Sequence, residues 1–388
     1  MAHELIFWMT ATSIVLVIYH HVGYPLLLKM LVRLCRTSQE ETSNEQNMAE
    51  LPSITVLMPA YNEAQWVAEK LRNLAALDYP QDKLEVVLAC DGCTDNTAAI
   101  AKATAQEPLC AGLNLRVIEY VENHGKAIVI NKAMATIKSE VVALSDISAL
   151  ISFDALTLAA AHFSAPDVGV VNSRYCLLKP GEGEQQYWDY QNKIRSNEAA
   201  IGSSLGAHGA LYFIRRELFS PFEFDTINDD FILPMKIVEK GYRAVVQEEI
   251  RAVELEPTNT QQDFRRRLRI GAGNCQQLFR LLGCLNPRLG GVAFTFASSK
   301  GLRVVMPFLM LTALIGSALL ALENLFFAVA AGGQATAYGL VMLWSLTGYQ
   351  PKSRLCRALA YLVAGHTANA IGTLRYITGL EKGRWQRV

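Results

Sequence analysis

The chain has 388 residues, with 36 Lys plus Arg against 36 Asp plus Glu, so its formal net charge is zero. No global field recruits nucleic acid or an acidic partner. Hydrophobic residues make up 51% of the chain, and they are concentrated in a few segments. The eight cysteines form no regular framework, which fits a reduced, cytoplasm-facing region. Cys90 and Cys93 make a C-x-x-C, but no second pair and no nearby His completes a zinc site.

The first apolar run, "LIFWMTATSIVLVIYHHVGYPLLL" over residues 5–28, has the length a helix needs to cross a bilayer. Lys29, Arg33 and Arg36 follow it and no basic residue precedes it, so the positive-inside rule puts its following end in the cytoplasm. "TSQEETSNEQNMAE" reads as a polar linker. Apolar runs return at 302–322 and 325–346, and Lys352, Arg354 and Arg357 lie in the loop that follows. The last run, 355–380, carries His366, Asn369 and Arg375 and ends in a basic tail. An interfacial helix would keep that tail cytoplasmic, whereas a fourth span would put it outside.

Between these segments, strand and helix patterns alternate. "SITVLMP", "LEVVLAC", "NLRVIEY" and "EVVALS" read as strands, separated by helical patterns such as "EAQWVAEKLRNLAAL" and "GKAIVINKAMATI". That alternation predicts an α/β sheet with parallel pairing and right-handed crossovers. Ligands of such sheets bind beyond the carboxyl ends of the strands. Those exits here read "PAYNE", "DGCTD", "ENHGK" and "SDIS". Any one of them is an ordinary turn, but four polar exits in succession point to a nucleotide site. Glu63 and Asp91 suit a nucleobase or ribose, Lys126 beside Gly125 brings a cation near the nucleotide, and Asp146 suits a divalent cation on phosphates. No G-x-G-x-x-G follows the first strand and no G-x-x-x-x-G-K-[ST] occurs, which excludes the dinucleotide and P-loop fingerprints.

These motifs, in this order, resemble the membrane-embedded family 2 glycosyltransferases, which include synthases of cellulose, hyaluronan and poly-N-acetylglucosamine. The resemblance implies a GT-A-like nucleotide-sugar-binding domain inserted between transmembrane helices, a UDP-sugar donor, Mg2+ or Mn2+, and inversion at the anomeric carbon. It implies donor contacts from Tyr61, Glu63, Asp91, Lys126 and Asp146, with Asp146 also the metal residue. In "TINDDF" it makes Asp230 the general base with Asp229 beside it. Arg267 and Arg269 in "RRLRI" fall on the cationic positions of Q-x-x-R-W, on the donor diphosphate. Gly206 and His208 in "GAHGALYFIRRELF" fall in the acceptor region, although a lone His is more often structural. Ser148 stands where the metal motif has its second carboxylate, Arg266 replaces Gln and Ile270 replaces Trp.

The expected organisation is a membrane anchor over 1–36, a linker over 37–51, the GT-A domain over 52–260, an interfacial region over 261–300, a transmembrane region over 301–380 and a tail over 381–388. The expected activity is transfer from a UDP-sugar to a growing β-linked polysaccharide or glycan at the cytoplasmic face of the inner membrane. Membrane lipids surround the protein, nucleic acid is not a partner, and an export partner is compatible with the segment order. Two alternatives stay open: transfer of one sugar to a polyprenyl-phosphate or lipid-linked acceptor, and a non-catalytic nucleotide-binding membrane protein.

Overall fold

The computed structural model describes residues 1–36, 50–180, 184–257 and 260–381. Most of the expected linker and tail lie outside them. The chain forms two compact units, one of Met1–Met30, Asp263–Phe279 and Thr295–Glu381, the other of Leu31–Gln262 and Arg280–Phe294.

It begins with helix α1 (Ala2–Ile18), a π-helical turn at Tyr19–Gly23, and α2 (Tyr24–Arg36). The larger unit then opens with β1 (Ile54–Ala60), α3 (Val67–Ala75), β2 (Leu84–Asp91), α4 (Thr97–Thr104), β3 (Leu115–Tyr120), α5 (Lys126–Met134) and β4 (Val141–Leu144). β1 pairs in parallel with β2 on one side and β4 on the other, and β2 pairs in parallel with β3. Every residue of β1 is buried, which is why its sequence is a continuous apolar run: a central parallel strand is covered on both faces. Ile54, Val56, Met58 and Ala60 alternate onto one face and meet Val67, Leu71 and Leu74 of α3, so period 2 faces a helical stripe of i, i+4, i+7.

The second half is less regular. β5 (Ala149–Ile151), α6 (Ala155–His162), β6 (Val168–Leu177), α7 (Glu184–Ala200), β7 (Tyr212–Arg215), α8 (Asp229–Glu239) and β8 (Arg243–Glu254) complete a mixed sheet of eight strands. Its order is β3-β2-β1-β4-β7-β6-β8-β5, with β7 antiparallel to both β4 and β6. β1, β2 and β4 therefore send their carboxyl ends to one edge, where the chain changes direction along the sheet, and β7 enters beside β4 from that same edge.

The remaining helices are α9 (Thr260–Arg280), α10 (Gly291–Thr295), α11 (Leu302–Leu320), α12 (Leu325–Thr347) and α13 (Arg354–Ile377). Among the described residues, three helical stretches are long and apolar enough to cross a membrane: Ala2–Leu34, Gly291–Leu320 and Leu325–Thr347. The α13 segment is not among them. Its polar residues are instead tied into the helical unit, with Asn369 donating to the Arg303 carbonyl at 2.7 Å and His366 Nε2 sitting 2.9 Å from His21 Nε2. Small residues allow close helix approach here: a side chain at Gly372 would collide with the Leu268 carbonyl, and one at Gly316 with the Thr10 hydroxyl.

One buried residue breaks the apolar logic of the larger unit. Lys70 sits on the inward face of α3 with no solvent exposure. Its ammonium donates to Ser145 Oγ at 2.7 Å and to the Ala149 carbonyl, bracing both ends of the loop after β4. Burial lowers its pKa to about 7, against the pull of Asp146 and Glu254. The unfolded chain therefore holds a proton between pH 7 and pH 10 that the folded chain releases, so stability rises with pH across that window. Melting temperature measured from pH 7 to pH 10 is expected to climb in the native chain and to stay flatter in Lys70→Met. Parallel curves for the two would refute the assignment.

Candidate active site

The four strand exits are laced together by their own polar groups. After β1 the chain turns at Asn62, whose φ of 57° is left-handed, a conformation that Asn tolerates better than most residues. Its Oδ1 accepts from the Thr94 amide at 2.8 Å, and the Glu63 amide donates to Thr97 Oγ1 at 2.8 Å. Tyr61 and Glu63 are thus carried on a loop anchored to the exit of β2. The Cys93 thiol lies 3.5 Å from both the Ala60 carbonyl and the Asn62 amide. The C-x-x-C pair accordingly braces this turn, and among the described residues it joins no metal-holding cluster.

Asp91 is fully enclosed at the end of β2. Its two oxygens accept from the His124 and Gly125 amides, each at 2.8 Å, so this carboxylate shapes the third exit. Gly92 has φ of 62°, and a Cβ there would stand 2.5 Å from the Asn123 amide nitrogen. Only glycine fits so close a crossing of backbones.

The third exit delivers Lys126 at the start of α5. Its ammonium lies 2.8 Å from Asp146 Oδ1 and 3.5 Å from Asp229 Oδ2. Burial works against that charge, but Asp146, Asp229 and Asp230 outweigh it and hold the pKa above the ordinary lysine range. Asp146 is about a third exposed, at 34%, and its amide donates to the Gly209 carbonyl at 3.1 Å. A Cβ at Gly209 would come within 2.8 Å of Asp146 Oδ2, so the 206–210 loop approaches the carboxylate with bare backbone.

Asp229 and Asp230 open α8, where the helix dipole favours negative charge. The Gly209 amide donates to Asp230 Oδ2 at 3.1 Å, and the Ala207 amide to the Asp230 carbonyl at 2.8 Å. Burial raises the Asp230 pKa to about 6, Asp229 and Asp146 push the same way, and Lys126 and Arg195 oppose them. A carboxyl group poised near neutrality is suited to accept a proton. Gly206 serves through its backbone: its φ is 71°, and a side chain would collide with Phe231. His208 is stacked on Tyr175 with ring centroids 3.7 Å apart and meets Trp188 edge-on at 5.2 Å. Its Nδ1 accepts from the Ala210 amide at 3.2 Å, so packing and the loop backbone fix this imidazole.

The structure thus brings Lys126, Asp146, Asp229, Asp230 and the 206–210 loop together, with the loop of Tyr61 and Glu63 anchored at the neighbouring exit. Arg267 and Arg269 belong to the other compact unit, where the Arg267 guanidinium lies 4.0 Å over the Tyr361 ring. Three residues that no motif singled out also belong to the site. Lys70 braces the Asp146 loop, and its place in an apolar i, i+3, i+4 stripe was a readable signal. Tyr212 has a buried hydroxyl without a hydrogen-bond partner, and its pKa is driven well up by burial, then by Asp229, Asp230 and Asp146. Arg195 has a buried, unpartnered Nη1; nothing in the sequence marked it, and Tyr212 lay unremarked within the "GAHGALYFIRRELF" segment.

Among the described residues no three His, Cys, Asp or Glu side chains form a metal-holding group. Asp146 is the open carboxylate at the strand ends, and Ser148 contributes at most a hydroxyl. That donor set does not make an all-protein cage. It fits a magnesium-type ion bound by one carboxylate and completed by substrate phosphates and water.

Residues 55–221 match the family model "Glycosyl transferase family 2". Over 213 residues the chain is 25% identical to a beta-monoglucosyldiacylglycerol synthase of Nostoc sp., covering 51% of this chain and 45% of that protein. Over 206 residues it is 24% identical to a poly-beta-1,6-N-acetyl-D-glucosamine synthase of Staphylococcus aureus, covering 51% and 48%. The matched region thus spans about half the length of these curated relatives. A solved mannosyltransferase from Pyrobaculum calidifontis, in complex with GDP-Man and Mn2+, superposes with a TM-score of 0.70 at 28% identity, covering 93% of this chain and 98% of that one. Sheet order, strand-exit chemistry and these likenesses agree: residues 55–221 match the family 2 glycosyltransferases, and the unit that contains them has a GT-A-like fold.

Proposed function

We propose that the chain is an inverting transferase that moves a sugar from a UDP-sugar to a growing β-linked polysaccharide or glycan, with Asp230 as general base. The observation that carries this reading is the convergence of Asp230, Asp229, Asp146 and Lys126 at the carboxyl ends of the strands, with the Asp230 pKa raised to about 6. An acceptor hydroxyl attacks the anomeric carbon and forms the new C–O bond. The bond from that carbon to the diphosphate oxygen breaks, UDP leaves with the electron pair, and the hydroxyl proton goes to Asp230. Attack from the face opposite the leaving group inverts the sugar. Lys126 offsets the charge of the three aspartates, so that Asp230 ionises near neutral pH rather than far above it. When bound, a divalent cation held by Asp146 would stabilise the charge that develops on the diphosphate.

The positive-inside pattern of Lys29, Arg33 and Arg36, then Lys352, Arg354 and Arg357, supports a catalytic unit on the cytoplasmic face of the inner membrane. A second reading, transfer of one sugar to a lipid acceptor, is supported by the likeness to the diacylglycerol-glucosylating enzyme. Ile270, where polymer synthases carry Trp, leans the same way.

Purified protein incubated with UDP-glucose, UDP-N-acetylglucosamine or GDP-Man and Mn2+ is expected to release nucleoside diphosphate from one donor. Asp230→Asn should lower that rate by roughly a hundredfold or more, and chelation of the metal should abolish it. A fully active Asp230→Asn variant would sink the assignment of the base. Activity that survives chelation would sink the cation.

The same carboxyl sets a pH signature. In the folded chain it holds its proton up to about pH 6, whereas the unfolded chain releases it near pH 4. Stability contributed by the protonated group is thus lost as pH rises through that window. Asp230→Asn should therefore raise the melting temperature at pH 8 and change it less at pH 4. Asp229→Asn removes a like charge and should move the acid limb of kcat/KM to lower pH. A limb that stays in place would mean that another group titrates.

A further inference from the structure

Trp188, Asn192 and Arg195 share one face of α7, spaced i, i+4, i+7. That face is held firmly. The Trp188 ring meets Tyr175 at 4.5 Å and His208 at 5.2 Å between centroids, and Asn192 Nδ2 donates to the Tyr175 carbonyl at 2.9 Å. His208 belongs to the loop whose Ala207 and Gly209 amides hold Asp230. The helix face that bears Arg195 and the loop that positions the base are therefore one packed assembly.

Within it, Arg195 Nη1 is buried with no hydrogen-bond partner. A guanidinium keeps its proton at any ordinary pH, so an orphaned donor of this kind is destabilising unless a ligand completes it. Glu198, one turn further along α7 and only 3% exposed, and Asp230 already compensate its charge. What the group lacks is an acceptor atom rather than a counter-ion.

We propose that Arg195 is an acceptor-binding residue whose Nη1–H donates to an uncharged oxygen of a sugar or glycerol group, beside the hydroxyl that passes its proton to Asp230. The proposal rests on the transferase reading above and narrows its acceptor to a neutral polyol, carried by a glycan end or by a glycerolipid.

The test uses the purified full chain and its active donor, with methyl β-glucoside and dioleoylglycerol as neutral acceptors and farnesyl phosphate as an anionic one. Arg195→Gln should raise KM for the neutral acceptor roughly ten- to a hundredfold and leave donor KM unchanged. Arg195→Lys should recover part of the loss, because an ammonium can donate but lacks the planar fork. Ligand-free Arg195→Gln should melt close to the native chain, since it removes an unsatisfied buried donor along with a charge that Glu198 and Asp230 compensate. A lower melting temperature would mark a structural ion pair and overturn the proposal. So would an unchanged acceptor KM with only a shifted pH profile, which would mean that Arg195 acts through Asp230. Turnover of farnesyl phosphate alone would make the site an anion site. Transfer to none of the three by the native chain would remove the transferase reading together with this one.

Discussion

Everything at the strand exits depends on one ammonium set among three aspartates. Two like charges about 4 Å apart interact by roughly 4 kcal/mol at the effective dielectric of a protein surface. Asp146, Asp229 and Asp230 could not all be ionised so close together without Lys126, which lies 2.8 Å from the first and 3.5 Å from the second. The balance is incomplete: burial first, and then the like charge of Asp229 and Asp146, raise the Asp230 pKa to about 6 against the pull of Lys126 and Arg195. Too little compensation would leave Asp230 protonated and inert at neutral pH. A second adjacent lysine would make it a weak base. Lys126, with Arg195 behind it, leaves Asp230 between these limits.

Such a cluster needs backbones that approach closely, and the chain provides them at defined points. Gly92 allows the exit of β2 to cross the 122–123 segment, and Gly209 lets the 206–210 loop lie against Asp146 without a side chain between them. Because those loops are short and cross-linked by Asn62, Thr97 and Asp91, the charged groups are fixed before any ligand arrives. Positioned charge of this kind does not have to reorganise during reaction, which is where its catalytic value lies.

How far the sequence could be read follows from the same physics. β1 to β4 were legible because a parallel strand buried on both faces must be a continuous apolar run between helical patterns. β5 and β7, with three and four residues, were not: their pairing partners are remote in the chain, and so short a run carries no periodicity. Asp91, Lys126 and Asp146 stood out because they sit at strand exits in a familiar order, and Asp229 and Asp230 through the motif resemblance of "TINDDF". Asp91 read as a base-side contact, yet in the fold it is enclosed and spends its oxygens on the His124 and Gly125 amides. Arg195 and Tyr212 lie in a helix and a strand of ordinary composition. Their importance comes only from burial without a partner, a property that no linear pattern encodes.

The reduced metal motif makes sense against this background. A second carboxylate at position 148 would add a fourth negative charge to a cluster that one lysine already balances poorly. With serine there, the protein contributes a single open carboxylate, and the incoming diphosphate must bring the remaining anionic ligands itself. On the proposed reading, cation and donor would bind as one unit, because the ion would find too few protein ligands without the diphosphate. With the proposed cation on Asp146, Ser148 would leave the site to be assembled by the substrate, and it would spare Asp230 a further upward push on its pKa.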